Sequence, residues 1–133
     1  MKTERFKAYL MLISGLCALT VLAACAAVVA GGALGAGSVV YVNGELSQKL
    51  NKPVSKVYDA TIAALNDFKL PVLENTHDKL SARLKSRLSS GEEVSIKIDS
   101  VTSSSSKIGI RVGTIGDKDK SRTILDRIDE HLK

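Results

Sequence analysis

The chain has 133 residues, which is enough for one small domain preceded by a targeting segment, and it carries a formal net charge of +5. Lys2, Glu4, Arg5 and Lys7 contribute +2 of that charge, so residues 8–133 keep only +3. This small excess, in a chain without Trp, argues against nucleic-acid binding, which needs a clustered basic patch and stacking aromatic side chains.

The first 24 residues have the organisation of a secretory signal. Residues 1–8 are basic, and residues 9–22 form an uncharged apolar run of the length that a signal requires. The run ends in Leu22, Ala23, Ala24 and Cys25, which resembles the bacterial lipobox of one aliphatic residue, two small residues and a cysteine. Small side chains admit the extended backbone to a signal peptidase, and the thiol accepts a diacylglycerol before cleavage. We therefore predict a lipoprotein signal peptide over residues 1–24 and lipidation at Cys25.

The other cysteine, Cys17, is interpreted as a small hydrophobic residue of the signal, because it lies within the apolar run and follows Leu16, a poor fit before a cleavage site. Cleavage would leave Cys25 alone, so no disulfide is expected in spite of an oxidising compartment. Two or more acyl chains hold a protein stably on a bilayer. By analogy with lipoproteins of diderm bacteria, Ala26 in place of Asp favours a location in the cell envelope, on the outer membrane and facing the periplasm.

Residues 25–38 begin with the predicted lipidated cysteine and are rich in Gly and Ala, and three interpretations of them stay open. A flexible tether is favoured by the glycines, since each costs a helix about 1 kcal/mol relative to Ala. A second membrane-associated segment is compatible with the pairs Gly31/Gly35 and Ala33/Gly37, which allow helices to approach closely in lipid. An uncleaved span that starts in the apolar run is the third, because about 20 apolar residues cross a bilayer.

Residues 39–133 are predicted to form one small domain that starts with a strand and a helix. Apolar and polar residues alternate from residue 39 to residue 50, which predicts a half-buried strand in which Gly44 marks a bend or a bulge. Pro53 is typical of a first helical position, and an apolar stripe at spacings of three and four predicts a helix that runs to Phe68. Leu70 and Pro71 end it.

The second half of the domain alternates again and ends in a helix. Strands are predicted near 72–77, 80–88, 94–98 and 108–112, with a turn at 89–92 and a loop at 103–106. Asp117 is a candidate N-cap for a final helix that carries Ile124, Leu125 and Ile128 on one face. The order β-α-β-β-β-β-α predicts the α+β class, with an antiparallel sheet covered on one face by two helices.

Three stretches of the chain resemble a family of small bacterial lipoproteins of unknown function. They are YVNGEL at 41–46, VSKVYDATIAAL at 54–65 and IRVGTIGDKDKSRTILDRI at 110–128, of which the last is the most specific. The resemblance covers most of the mature chain and implies no assigned reaction and no catalytic residues.

The sequence predicts no enzyme, no metal site and no cofactor. His77 and His131 are far apart and lack a helical ligand spacing, and no other histidine is present. The serines at 103–106 lack the surroundings of a nucleophile elbow, and no phosphate-binding loop fits.

One candidate site remains, on the sheet face that the helices are expected to leave open. Its basic residues alternate with the leucines of one strand or come from neighbouring strands, and they are Arg83, Lys85, Arg87, Lys97 and Arg111. Such a face could bind an anionic headgroup or an acidic partner. Alternatively, Glu45, Glu93 and Asp99 disperse the charge, as on any solvated face.

The leading hypothesis is a membrane-anchored, non-enzymatic envelope lipoprotein that binds an envelope protein partner or supports an assembly. Its expected partners are membrane lipid, through acylated Cys25, and no nucleic acid. One alternative is a module that binds an anionic lipid or glycan through the basic sheet face. Another is an uncleaved single-span membrane protein with the same soluble domain.

Overall fold

The computed structural model describes residues 38–133, so the predicted signal, the lipobox and the Gly/Ala-rich segment up to residue 37 lie outside the described residues. In the described part the chain forms six strands and two helices, which confirms the predicted α+β class. The elements are β1 (Val40–Val42), β2 (Glu45–Leu50), α1 (Val54–Asp67), β3 (Val72–His77), β4 (Ser81–Arg87), β5 (Glu93–Thr102), β6 (Ser105–Val112) and α2 (Lys118–His131).

The first predicted strand is a hairpin of two strands, β1 and β2. Asn43 and Gly44 separate them, with φ angles of 51° and 81°. Two successive positive φ angles are typical of the tight turns that match the twist of an antiparallel pair, and Asn-Gly is their preferred sequence. Gly44 therefore reverses the chain rather than bending a single strand.

The six strands form one antiparallel sheet in the order β1-β2-β6-β5-β4-β3. After β2 the chain crosses the sheet through α1 to the far edge, and β3 to β6 then return by consecutive hairpins. This return places β6 beside β2, with Leu46 opposite Ile110 and Leu50 opposite Ser106. The edge strand β3 is exposed along its whole length, which explains the weak apolar patterning of its sequence.

Both helices pack on the same face of the sheet, and the core lies between the two layers. Helix α1 begins after Pro53 without a side-chain cap, whereas the predicted cap of α2 is confirmed: Asp117 Oδ1 accepts a hydrogen bond from the backbone N–H of Lys120 at 3.0 Å. The largest fully buried side chains come from both layers: Leu46, Val57, Leu65, Leu84, Val94, Ile96, Ile98, Ile108, Ile110, Val112, Leu125 and Ile128.

The serine run predicted as a loop is only partly a loop. Ser105 and Ser106 belong to β6 and are buried. The Oγ of Ser106 donates to the carbonyl of Lys52 at 2.9 Å, and the Ser105 hydroxyl lies 2.7 Å from that of Thr102. These hydrogen bonds offset the cost of burying two hydroxyls, so the strand can start within the run. Within residues 38–133, neither helix is long and apolar enough to span a membrane.

Candidate binding face

One face of the sheet, the open face, carries no helix. Side chains alternate along each strand, so every second residue points away from the core. The residues that share the open face in the strand register are Val40 and Val42 of β1, Glu45, Ser47 and Lys49 of β2, Glu74 and Thr76 of β3, Ser81, Arg83, Lys85 and Arg87 of β4, Glu93, Ser95, Lys97 and Asp99 of β5, and Lys107, Gly109 and Arg111 of β6.

The structure places all five predicted basic residues on this face. Arg83 of β4 lies opposite Lys97 of β5, and Lys97 lies opposite Gly109 of β6. In the next row Lys85 lies opposite Ser95, which lies opposite Arg111. The alternation of the sequence is therefore a sound guide to which basic side chains share a surface.

Three of the five basic side chains are paired with carboxylates. Arg83 lies 2.7 Å from Asp99, and Lys97 lies 3.5 Å from Glu45. Lys85 lies 3.1 Å from Glu74, whose carboxylate raises the pKa of that lysine above its ordinary value. Exposed pairs of this kind contribute little to stability, but they lower the positive potential of the face.

The pair between Glu45 and Lys97 depends on a glycine between their strands. Glu45 is on β2 and Lys97 is on β5, so the glutamate side chain has to cross β6. It does so over Gly109, where an added Cβ would lie 2.5 Å from the Glu45 Oε1 atom. A glycine within a strand commonly marks such a close approach.

Arg87 and Arg111 are not joined to carboxylates among the described residues. Arg87 lies opposite Glu93 in the register without forming an ion pair with it. The guanidinium of Arg111 donates to the carbonyl of Asn43, while its Nε atom is buried and has no hydrogen-bond partner among residues 38–133. A surface cavity of about 390 Å³ next to Arg111 is lined by side chains of both signs, including Glu45.

The open face is therefore a charge mosaic with an excess of cations, because the strand register places seven Lys and Arg but only four Asp and Glu on it. The sequence predicted five of its seven cations and three of its four carboxylates. Lys49 and Lys107 were not among the predicted residues, and Glu74 was missed because the register of the weakly patterned strand β3 could not be read from the sequence. A surface with both signs of charge complements a protein surface of mixed charge better than it complements a uniformly anionic one.

The histidines take part in contacts between elements. His77 stacks on Tyr58 of α1 with ring centroids 4.0 Å apart, and His131 Nε2 lies 2.7 Å from the carboxylate of Asp67. In the part of the chain that the structure describes, no three His, Cys, Asp or Glu side chains are grouped closely enough to hold a metal ion.

A comparison with protein families matches residues 7–131 to the family described as a protein of unknown function, DUF3568. The chain belongs to the DUF3568 family. The expected membership of an uncharacterised family is confirmed. The matched residues include both the apolar N-terminal run and the strands that form the open face. A search of curated proteins finds no match to this DUF3568 chain.

Proposed function

We propose that this DUF3568 protein is a non-enzymatic lipoprotein of the bacterial envelope, anchored through acyl chains on Cys25, and that its open face docks an envelope protein. The observation that carries the proposal is the lipobox Leu22-Ala23-Ala24-Cys25 at the end of a charge-free apolar run. The family match supports it, because it begins at residue 7 and so extends over this run and Cys25 as well as the domain.

The tether interpretation of the Gly/Ala-rich segment sets how far the domain reaches from the bilayer. Strand β1 starts at Val40, about 15 residues after Cys25. A fully extended segment of that length spans at most about 50 Å, and a flexible Gly-rich chain has an r.m.s. span of about 20 Å. An anchor at Cys25 would thus keep the domain close to the membrane.

The charges of the open face favour a protein partner over a headgroup layer. An anionic bilayer attracts unpaired cations that face it together, at about 1 kcal/mol for each Lys or Arg near the surface. Arg83, Lys85 and Lys97 are instead held by carboxylates of the same face. A partner with both signs of charge can exchange these pairs for its own without leaving a carboxylate against an anionic surface.

The anchor is tested by expressing the full chain in a diderm bacterium and measuring its intact mass and its membrane fractionation. We expect the wild type and Cys17→Ala to lack residues 1–24 and to carry an acylated Cys25, and Cys25→Ala to remain unacylated and unprocessed. A bare Cys25, or residues 1–24 still attached in correctly exported wild type, would contradict the proposal. The second result would favour the uncleaved span.

The docking surface is tested by in-cell crosslinking of the full chain with two charge-matched variants. One carries Arg83→Glu, Lys85→Glu and Lys97→Glu on the open face. The control reverses three exposed lysines outside it, Lys52, Lys56 and Lys118. We expect a defined protein crosslink to disappear only in the open-face variant. If instead that variant keeps its crosslink and loses binding to vesicles that contain phosphatidylglycerol, the face serves anionic lipid and the docking proposal is wrong.

A further inference from the structure

An apolar cleft of about 640 Å³ opens where the end of α1, the end of β4 and the first turns of α2 meet. Its floor is made of the apolar side chains Phe68, Leu70, Pro71, Leu88 and Ile124. Ile124 is buried, whereas Phe68, Leu70 and Leu88 are only half-buried although they pack against the core. The cleft therefore keeps apolar surface in contact with solvent, and its volume lies in the range of sites for small molecules.

Three cations surround this floor, namely Lys69, Arg87 and Lys120. Lys120 is already held by Glu92 at 2.6 Å and by Asp117 at 3.4 Å. Lys69 and Arg87 form no ion pair among residues 38–133, so their charges are available to a ligand. The cleft thus combines an apolar floor with two uncommitted cations at its rim.

Lys69 stands at a position where glycine would be more stable. Its φ angle is 55°, and the chain leaves α1 there through paired hydrogen bonds, from Lys69 N–H to Asn66 O and from Leu70 N–H to Leu65 O, both at 2.9 Å. This helix ending places its left-handed residue after the C-cap, where glycine is the usual choice. A non-glycine residue in the left-handed region is strained, because its Cβ lies too close to the following carbonyl oxygen. The chain carries a cation at the rim in spite of that strain.

We propose that this cleft binds a single acyl chain that ends in an anionic group, with the chain on the apolar floor and the anion held by Lys69 and Arg87. Free fatty acid and anionic phospholipid both present this chemistry. The site is separate from the docking function proposed for the open face, although Arg87, at the end of β4, lies on both surfaces. It does not depend on acylation of Cys25.

Photolabelling of the full chain in phosphatidylcholine vesicles tests the proposal. The probes are a palmitate analogue with a diazirine in its chain, the matching neutral alcohol, and a phosphatidylglycerol with the same diazirine chain. Mass spectrometry locates the adducts. We expect the palmitate probe to label peptides that contain Leu70, Leu88 or Thr123, and to do so several-fold more than the alcohol. Equal labelling by the two probes, or labelling spread evenly over the domain, would overturn the proposal, and the phospholipid arm tells which source supplies the ligand.

Variants separate binding from folding. Lys69→Gly is expected to raise the urea midpoint, because it relieves the left-handed backbone, and yet to lower labelling several-fold. Asn43→Gly, at the other left-handed non-glycine position and outside the cleft, is its control and should leave labelling unchanged. Thr123→Trp, an exposed residue of the cleft wall, should fill the cleft and abolish labelling with little effect on the urea midpoint.

The open-face variant distinguishes this proposal from the docking proposal. Arg83→Glu, Lys85→Glu and Lys97→Glu lie outside the cleft and should leave labelling by palmitate unchanged. If Lys69→Gly or Thr123→Trp is labelled as strongly as the wild type, the cleft does not hold the acyl chain, whatever the outcome for the open face.

Discussion

At the scale of single residues, two glycines allow two backbone segments to approach each other closely. Gly44 of the β1–β2 turn and Gly116 before α2 both have positive φ angles, 81° and 93°. A Cβ added to Gly116 would lie 2.2 Å from the carbonyl oxygen of Gly44, and one added to Gly44 would lie 2.1 Å from that of Ile115. Two of the stretches on which the family resemblance rests, YVNGEL and IRVGTIGD, thus meet where the backbones leave no room for a Cβ on either glycine.

Substitution of Gly116 by Ala should therefore be severe. The matched control is Gly91→Ala, since Gly91 has a φ angle of 90° and nothing within 4 Å of its added Cβ. Gly91→Ala should lose about 1–2 kcal/mol of unfolding free energy, the cost of a left-handed alanine. Gly116→Ala should lose clearly more, because the hairpin turn must also move away. Urea denaturation followed by circular dichroism measures both, and equal losses would show that the close contact is unimportant.

A second prediction concerns Asp129 of α2. Partial burial raises the pKa of its carboxyl above the ordinary value of 3.8, and the amide of Gln48 opposes that shift. A raised folded-state pKa means that the folded protein binds this proton more tightly than the unfolded chain does. Asp129 therefore adds stability below pH 3.8 that is lost as the pH rises through the folded-state pKa.

The substitution Asp129→Asn keeps the shape of the side chain and removes its ionisation. We expect the variant to have a higher urea midpoint than the wild type at pH 7, and the difference to shrink towards pH 3. A difference that stayed constant with pH would mean that burial of the charge does not matter at this position.

At the scale of elements, both helices and the strands β4 to β6 could be predicted from the sequence, because each has one buried face and a regular apolar period. The division of the first strand could also have been predicted, since Asn43-Gly44 is the preferred turn sequence, but β1 is only three residues long and its alternation continues through the turn. The start of β6 could not, because Ser106 is buried through a hydrogen bond to Lys52, which is 54 residues away in the chain.

The sequence likewise predicts part of the candidate sites and not the rest. Alternation along a strand places Arg83, Lys85 and Arg87 on one face, so the cations of the open face were predictable. Neutralisation of these cations by Glu74 was not predictable, and neither was the cleft, because both depend on how segments that are distant in the chain meet. The cleft floor, for example, combines Phe68 after α1 with Ile124 of α2.

The N-cap of α2 allows a prediction about an element. Asp117 Oδ1 accepts the backbone N–H of Lys120, and a second oxygen of Asp117 lies 3.4 Å from the Lys120 ammonium. Asp117→Ala should clearly lower the urea midpoint, as loss of a side-chain N-cap usually does. Asp117→Asn keeps an oxygen for the cap and loses the charge, so it should retain most of the stability. If urea denaturation shows equal losses for Ala and Asn, the ion pair and not the cap stabilises this end of the helix.

At the scale of the whole molecule, cations outnumber carboxylates, with 19 Lys and Arg against 14 Asp and Glu. Much of the surface charge is nonetheless paired, on the open face and also around Lys120. Protonation of the carboxylates would remove their half of these pairs and leave the cations to repel one another. The fold should for this reason be more sensitive to acid than its modest charge at neutral pH implies.

The dependence of stability on pH follows from three carboxyls whose pKa values the fold lowers. Two backbone amides lower the pKa of Asp78, the Lys120 ammonium lowers that of Glu92, and the backbone amide of Lys120 lowers that of Asp117. A depressed folded-state pKa adds stability that is present above the ordinary values of 3.8 for Asp and 4.5 for Glu. That stability is lost as the pH falls through the folded-state values.

We therefore expect the urea midpoint to fall steadily as the pH is lowered from about 5 to below 3, the window that these three pKa shifts define. A triple variant with Asp78→Asn, Glu92→Gln and Asp117→Asn should show a shallower fall over the same window, whereas Asp129→Asn should show a steeper one, because it removes the carboxyl that gains from protonation. If the wild type instead becomes more stable between pH 5 and pH 3, burial of Asp129 outweighs the three carboxyls whose pKa values are lowered, and the paired surface charges contribute little to the stability of the fold.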